Sequence, residues 1–70
     1  MIISVFKTSL DEKNLVKVCI ALNSFEGITN WNTDLEDCDN ILRIESHAFI
    51  SYEIIRLFNE LGIYCKELED

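Results

Sequence analysis

The feature that most constrains how this chain can fold is a pair of apolar stripes at helical spacing, each followed by a glycine. The first stripe consists of Leu15, Val18, Cys19, Leu22 and Phe25. The second stripe consists of Ile50, Ile54, Leu57, Phe58 and Leu61. Side chains that recur every three or four residues share one face of a helix, so each stripe predicts an amphipathic helix. Gly27 and Gly62 are predicted to end these helices, because glycine tolerates the left-handed conformation found there.

Short polar residues precede both stripes at positions where helices can begin. Ser9 or Asp11 can cap the first helix, because a side-chain oxygen there accepts a hydrogen bond from a free backbone N–H group. Ser46 can cap the second helix in the same way. Asp11 and Glu12 also place negative charge at the helix end where the helix dipole favours it.

Segments rich in β-branched and aromatic residues lie before, between and after the two helices, and each predicts a strand. They cover residues 2–8, 28–36, 40–46 and 63–68. The polar stretch DCDN (37–40) between the second and third segments is typical of a turn. Trp31, Thr33 and Leu35 are predicted to share one face of their strand. The alternation predicts that the following side chains face the core: Ile3, Val5, Leu42, Ile44, Ile63 and Cys65.

The order of these segments is β-α-β-β-α-β. This order predicts an α+β ferredoxin-like sandwich, with a four-stranded antiparallel sheet and two helices on one face. No linker, repeat or low-complexity segment interrupts the 70 residues, so the sequence predicts a single domain over 1–70.

The spacing of the core residues resembles the heavy-metal-associated domain family, found in copper chaperones and metal-pumping ATPases. The stretch VCIALNSFEGI (18–28) is similar to the family's Val-x-x-Ala-Leu…Gly-Val signature. The matching positions are Val18, Ala21, Leu22, Gly27 and Ile28. The stretch IIRLFNELGIYC (54–65) resembles the family's second helix and the start of its last strand, with Ile63 in place of the usual aromatic residue.

The resemblance fails at the metal-binding loop. The family binds copper(I), zinc or similar ions with a Met-x-Cys-x-x-Cys segment at the start of the first helix. Counting back from Val18 puts the two cysteine positions at Asp11 and Asn14. Soft copper(I) prefers thiolate ligands to carboxylate or amide oxygens. The resemblance therefore implies a member of this family without its metal motif, and we predict no cofactor.

Three cysteines leave a second metal hypothesis open. Cys19 and Cys65 are predicted to be core residues, since a free cysteine packs as a small hydrophobe. Cys38 lies in the acidic stretch DLEDCD (34–39), where we expect an exposed hairpin end near the C-terminus of the first helix. Cys38 is a weak metal candidate. The alternative function is metal-ion binding or delivery through atypical ligands, with Cys38 and neighbouring carboxylates shared across a dimer.

Charge and composition exclude several classes of function. The net charge of −7 disfavours nucleic acid and anionic membrane surfaces as partners. No apolar run approaches the ~20 residues needed to span a bilayer, and the N-terminus MIISVFKTS lacks a signal-peptide pattern, so we expect a cytoplasmic protein. No serine, threonine, cysteine or histidine stands in a recognisable catalytic motif, which predicts that the chain is not an enzyme.

A sheet with helices on one face leaves its other face open to solvent. We expect an apolar patch with a charged rim on that face, formed by Ile2, Phe6, Ile41, Arg43, Tyr64 and Lys66. Patches of this kind are candidate interaction sites. The leading hypothesis is a small protein-interaction or self-association module that binds an unknown protein or a second copy. A small-molecule sensor is a third possibility, based on analogy of fold alone.

Overall fold

The structure, a computed structural model, describes residues 1–36 and 38–68. It has the predicted order of strands and helices. The elements are β1 (Ile2–Thr8), α1 (Glu12–Asn23), β2 (Ile28–Asp34), β3 (Ile41–Ser46), α2 (Ser51–Glu60) and β4 (Cys65–Glu67).

The strands form one sheet in the order β2-β3-β1-β4, and every neighbouring pair is antiparallel. β1 pairs with β3 on one side and with β4 on the other, so β2 and β4 are the edges. Both helices contribute their buried residues to a single core against one face of the sheet. The predicted ferredoxin-like α+β sandwich is therefore confirmed.

The core is built mainly from the two predicted helical stripes and from alternate residues of the strands. Val18 and Leu22 are its buried members from α1, and Ile54 and Phe58 are those from α2. The remaining buried apolar residues are Phe6, Leu10, Leu42, Ile44, Ile50, Ile63 and Cys65. Full burial of a leucine, isoleucine or phenylalanine side chain stabilises a fold by about 1.5–3 kcal/mol before entropy losses.

The predicted orientation of β1 is wrong. Phe6 is fully buried, whereas Ile3 is 57% exposed. The register explains the difference, because Phe6 lies opposite the core residue Leu42 and Val5 lies opposite the exposed Arg43. The segment IISVFKT has apolar residues at both odd and even positions, so its alternation alone does not choose a face.

The same correction applies to two residues of the predicted interaction face. Ile2 and Phe6 both point to the helix-covered side, since Ile2 lies opposite the fully buried Ser46. Thr8 is also buried on this side, and its hydroxyl has hydrogen-bond partners inside the protein. Its Oγ1 donates to the carbonyl of Asn40 at 2.6 Å and accepts from the N–H of Leu10 at 3.1 Å. A polar residue on the core side costs little when its hydrogen bonds are made inside the protein.

The predicted limits of the helices are partly right. Asp11 is the N-cap of α1, as expected. α1 ends at Asn23, however, and Gly27 lies in the following turn with a φ of 98°. Gly62 has a φ of 76° directly after α2, which agrees with its predicted role as a stop.

Ser46 does not cap α2. It is the last residue of β3, and its hydroxyl donates to the carbonyl of Ala48 at 2.8 Å. α2 begins five residues later at Ser51, after the N-cap Ile50, whose side chain makes no capping hydrogen bond. The Ser46 side chain thus bonds within the turn that follows β3, and the helix begins directly after Ile50, which is buried in the core.

Candidate interaction face

The open face of the sheet, on the side away from the helices, has three rows of side chains that run across the strands. Directly opposite residues of an antiparallel pair point to the same side, so the register defines each row. The first row is Lys66, Lys7, Ile41 and Asp34. The second row is Val5, Arg43 and Asn32. The third row is Ile3, Glu45 and Asn30.

Three of the six residues predicted for this face lie in these rows. They are Ile41, Arg43 and Lys66. Tyr64 is 54% exposed and stands just before β4, between the buried Ile63 and Cys65. Ile2 and Phe6 lie on the opposite side, as described above. A role in binding stays a prediction for Ile41, Arg43 and Lys66, which do lie on the face.

Sequence reasoning missed Ile3, Val5 and Lys7, which form the open-face side of β1. A signal for them was available in the size of Phe6. A phenylalanine buries more apolar area than a valine, so placing Phe6 in the core favours the opposite side for its two neighbours. The lysine at position 7 supports the same orientation, because an uncompensated charge is costly in a core.

An open depression of about 450 Å³ occupies the middle of the open face, and its lining combines aliphatic, amide and charged side chains. The lining residues are Val5, Asn32, Asp34, Ile41 and Arg43. The aliphatic groups offer apolar contact, and the guanidinium offers up to five hydrogen-bond donors to a bound group. The depression can therefore accept a side chain that carries both an apolar stem and an acceptor.

The cations of the open face differ in their partners. Lys7 Nζ lies 3.2 Å from Asp39 Oδ1, and the hydrogen bond and charge of that carboxylate raise the pKa of Lys7. Arg43 and Lys66 are exposed, and within 1–36 and 38–68 their side chains make no hydrogen bond or ion pair. Lys66 also lies directly opposite Lys7, a like-charge pair that is unfavourable in a sheet. Both unpaired cations would gain from a carboxylate on a partner.

The open face differs in charge from the rest of the molecule. Its rows hold three cations, Lys7, Arg43 and Lys66, and two carboxylates, Asp34 and Glu45, a net charge of +1. The chain as a whole has a net charge of −7, so the remaining residues have −8. The open face is thus a non-acidic surface on a strongly acidic protein.

The loop between β1 and α1 holds Asp11 and Asn14, the positions that the family resemblance assigns to metal-binding cysteines. Asp11 Oδ1 accepts a hydrogen bond from the N–H of Asn14 at 3.0 Å. Ser9 and Tyr64 are joined twice, because the N–H of Ser9 donates to the Tyr64 carbonyl at 3.0 Å and Ser9 Oγ accepts from the N–H of Tyr64 at 2.8 Å. The loop is therefore a capped helix start that is fastened to the residues before β4.

Cys38 is exposed, as expected, but its predicted position beside the C-terminus of α1 is wrong. The N–H of Thr8 donates to the carbonyl of Asp39 at 3.2 Å, so the β2–β3 hairpin end lies where β1 leads into α1. The antiparallel pairing of β1 and β3 requires this, because the end of one strand meets the start of the other. Of the acidic stretch 34–39, Asp37 lies outside the described residues.

The other candidate ligands are dispersed. Cys65 is buried, and desolvation raises the pKa of its thiol to about 12, while Cys19 is half-buried on α1. His47 is exposed at the opposite end of the sheet, where its N–H donates to the carbonyl of Gly27. Among the residues that the structure describes, no three or more His, Cys, Asp or Glu side chains are grouped so that they could hold a metal ion.

Neither helix of the described chain has both the length and the apolar character needed to cross a membrane.

Comparison with known proteins finds no matching family model, no matching curated protein and no matching solved structure. The fold defines the class of the protein: it is a small ferredoxin-like α+β domain with an open sheet face.

Proposed function

We propose that this chain is a small non-enzymatic domain, related to heavy-metal-associated domains but without their metal site, that acts by protein contact through its open face. The observation that carries the proposal is the guanidinium of Arg43, which has no hydrogen-bond or ion-pair partner among residues 1–36 and 38–68 and lies in an open depression between Val5 and Ile41. Arginine is enriched in protein–protein interfaces and among the residues that dominate their binding energy.

The composition of the open face supports contact with a protein. Its rows contain three aliphatic residues next to charged ones: Ile3, Val5 and Ile41. A protein partner can cover the aliphatic groups and supply acceptors to the cations at once. The net charge of −7 counts against a nucleic acid in the same place, because the rest of the chain would repel its phosphates.

The absence of the family's metal motif supports the non-metal part of the proposal. Asp11 and Asn14 are hydrogen-bonded to each other as a helix cap, and oxygen ligands match copper(I) poorly. Free thiols in a chain of this composition agree with a reducing compartment, and a cytoplasmic location is part of the proposal. Titration of the reduced protein with copper(I) or zinc against a competing chelator is expected to show no binding tighter than about 1 μM.

Site-specific photo-crosslinking in cells of the source organism tests the interaction. A photoreactive phenylalanine analogue replaces Ile3 on the open face, and in a matched control it replaces Tyr52 on α2. Both positions are well exposed, at 57% and 88%. We expect a defined protein adduct, either a second copy or another protein, from position 3 but not from position 52. Equal adducts from both positions, or none from either, would contradict the proposal.

A further inference from the structure

We infer that the partner of the open face is a second copy of this chain, packed face to face about a two-fold axis that runs parallel to the strands between β1 and β3. The inference rests on the proposed function, since it names the occupant of the same face. It follows from the arrangement of charges in the three rows.

The strand order β2-β3-β1-β4 puts this axis at the middle of the sheet. A rotation about it exchanges β1 with β3 and β2 with β4, so each strand lies over its counterpart in the partner. Because the axis is parallel to the strands, each row stays over the same row. The pairs that meet across the interface can therefore be read from the register of the sheet.

The first row is self-complementary under this rotation. Lys66 of each copy lies over Asp34 of the other, which gives two symmetric pairs of opposite charge at the two sides of the interface. Asp34 Oδ1 already accepts from the N–H of Glu36 at 3.1 Å, but a carboxylate can accept several hydrogen bonds. Lys66 has no competing partner within the described residues.

The other two rows place aliphatic side chains over the stems of charged ones. Val5 lies over Arg43 of the other copy, and Ile3 lies over Glu45. Long charged side chains cover apolar groups with their methylene stems, and the guanidinium of Arg43, in the middle row, lies one row from Glu45 of the other copy. No two like charges lie face to face anywhere in the three rows.

The competing two-fold axis, perpendicular to the strands, is disfavoured by charge. It places the second row over itself, so Arg43 would meet Arg43 of the partner at the centre of the interface. It also removes Asp34 from Lys66. Like charges brought together in an interface cost several kcal/mol, which selects the parallel axis.

The small size of the face points to a weak complex. With strands about 4.8 Å apart and rows about 6.7 Å apart, four strands and three rows cover roughly 400 Å² in projection. Stable complexes bury about 800 Å² of accessible surface per partner, so this dimer falls at the weak end. Aligned sheets cross at about 30°, which displaces the outer pairs by a few ångströms, within the reach of a lysine side chain.

Sedimentation velocity of the purified chain, from about 10 μM to about 1 mM in about 0.15 M sodium chloride, where long-range repulsion is screened, tests the inference through a charge swap. We expect reversible dimers of the wild type, with a Kd of roughly 10–1000 μM. Lys66→Asp and Asp34→Lys are each expected to weaken the homodimer at least about fivefold, because each creates two like-charge pairs. An equimolar mixture of the two variants restores both opposite-charge pairs, so it is expected to dimerise like the wild type. Tyr52→Asp, on the other side of the molecule, is expected to dimerise normally.

The outcomes separate the inference from the proposed function. Circular dichroism of each variant shows whether it is folded, and the mixing result needs no double variant. A chain that stays monomeric to about 1 mM while position 3 crosslinks another protein overturns the second copy as partner but leaves protein contact standing. A dimer Kd that does not change with the charge swap would overturn the parallel axis. So would mixtures that dimerise no more tightly than the separate variants.

Discussion

Phe6 and Val5 are adjacent in the chain but point to opposite sides of β1, so truncating each of them measures which side is the core. Phe6 is fully buried opposite Leu42, and Val5 is half-buried on the open face opposite Arg43. The sequence alone predicted the reverse. Phe6→Ala, Phe6→Leu and Val5→Ala therefore give a direct measurement of the orientation of this strand.

The expected losses are well separated. Removing a fully buried phenylalanine side chain costs about 3–5 kcal/mol of unfolding free energy. A domain of 70 residues has a total of roughly 3.5–10 kcal/mol, so Phe6→Ala is expected to leave the protein near the limit of folding. Phe6→Leu keeps most of the volume and should cost about 1–1.5 kcal/mol. Val5→Ala removes two methyl groups from a face that water already reaches, and should cost less than about 1 kcal/mol.

Urea unfolding followed by tryptophan fluorescence measures these losses. Trp31 is the only tryptophan, it is half-buried, and its Nε1 donates to Asn23 Oδ1 at 3.1 Å, so unfolding changes its surroundings. At a slope of about 1 kcal/mol per molar urea, Phe6→Leu lowers the midpoint by about 1–1.5 M. A larger loss for Val5→Ala than for Phe6→Leu would show that the strand faces the other way.

Three further measurements test local features. Asp11→Ala is expected to lower the unfolding free energy by about 1 kcal/mol by removing the helix cap, whereas Asp11→Asn, which can still accept from Asn14, should be nearly neutral; equal losses would refute a capping role. Cys38 should react rapidly with a thiol reagent in the native protein, while the buried Cys65 should react only after unfolding, as mass spectrometry of the modified protein can show. The raised pKa of about 12 for Cys65 means that the unfolded chain loses this proton first as the pH rises above 9.0. Between pH 8 and pH 10 the unfolding free energy of the wild type, measured by urea unfolding, should therefore fall by about 1 kcal/mol more than that of Cys65→Val.

Sequence reasoning identified the helices because each stripe fixes the helical face with five apolar residues. It oriented β3 correctly because Arg43, a charged residue, stands between Leu42 and Ile44. In β1 the apolar residues fall on both sides, and pairing with β3 decides between them. Such a decision depends on tertiary contacts, which local alternation does not contain.

The helix ends show a similar limit. Asp11 was predictable as a cap because its side chain acts on the next turn of its own helix. Ser46 has a side chain that could cap a helix in the same way. Its hydroxyl instead donates to the carbonyl of Ala48, and α2 begins only after the buried Ile50. For the open face, Arg43 and Lys66 could be found from alternation. That Lys66 shares a row with Asp34 could not, because the row depends on the registers of three strand pairs.

The charge of the whole chain gives the proposed dimer an unusual response to salt. Each sandwich is 18 Å thick, so the centres of two packed copies lie about 20 Å apart, with the acidic residues largely outside the interface. Two bodies of charge −7 at that distance repel by several kcal/mol in dilute salt, where the screening length is about 30 Å, and by far less at 0.15 M, where it is about 8 Å. The two exposed Lys66–Asp34 pairs contribute at most about 1 kcal/mol each. The long-range repulsion is the larger effect, so sedimentation should show tighter dimers as sodium chloride rises from about 0.01 M to about 0.15 M. Association that weakens over this range would mean that the contact ion pairs outweigh the long-range repulsion between the two acidic chains.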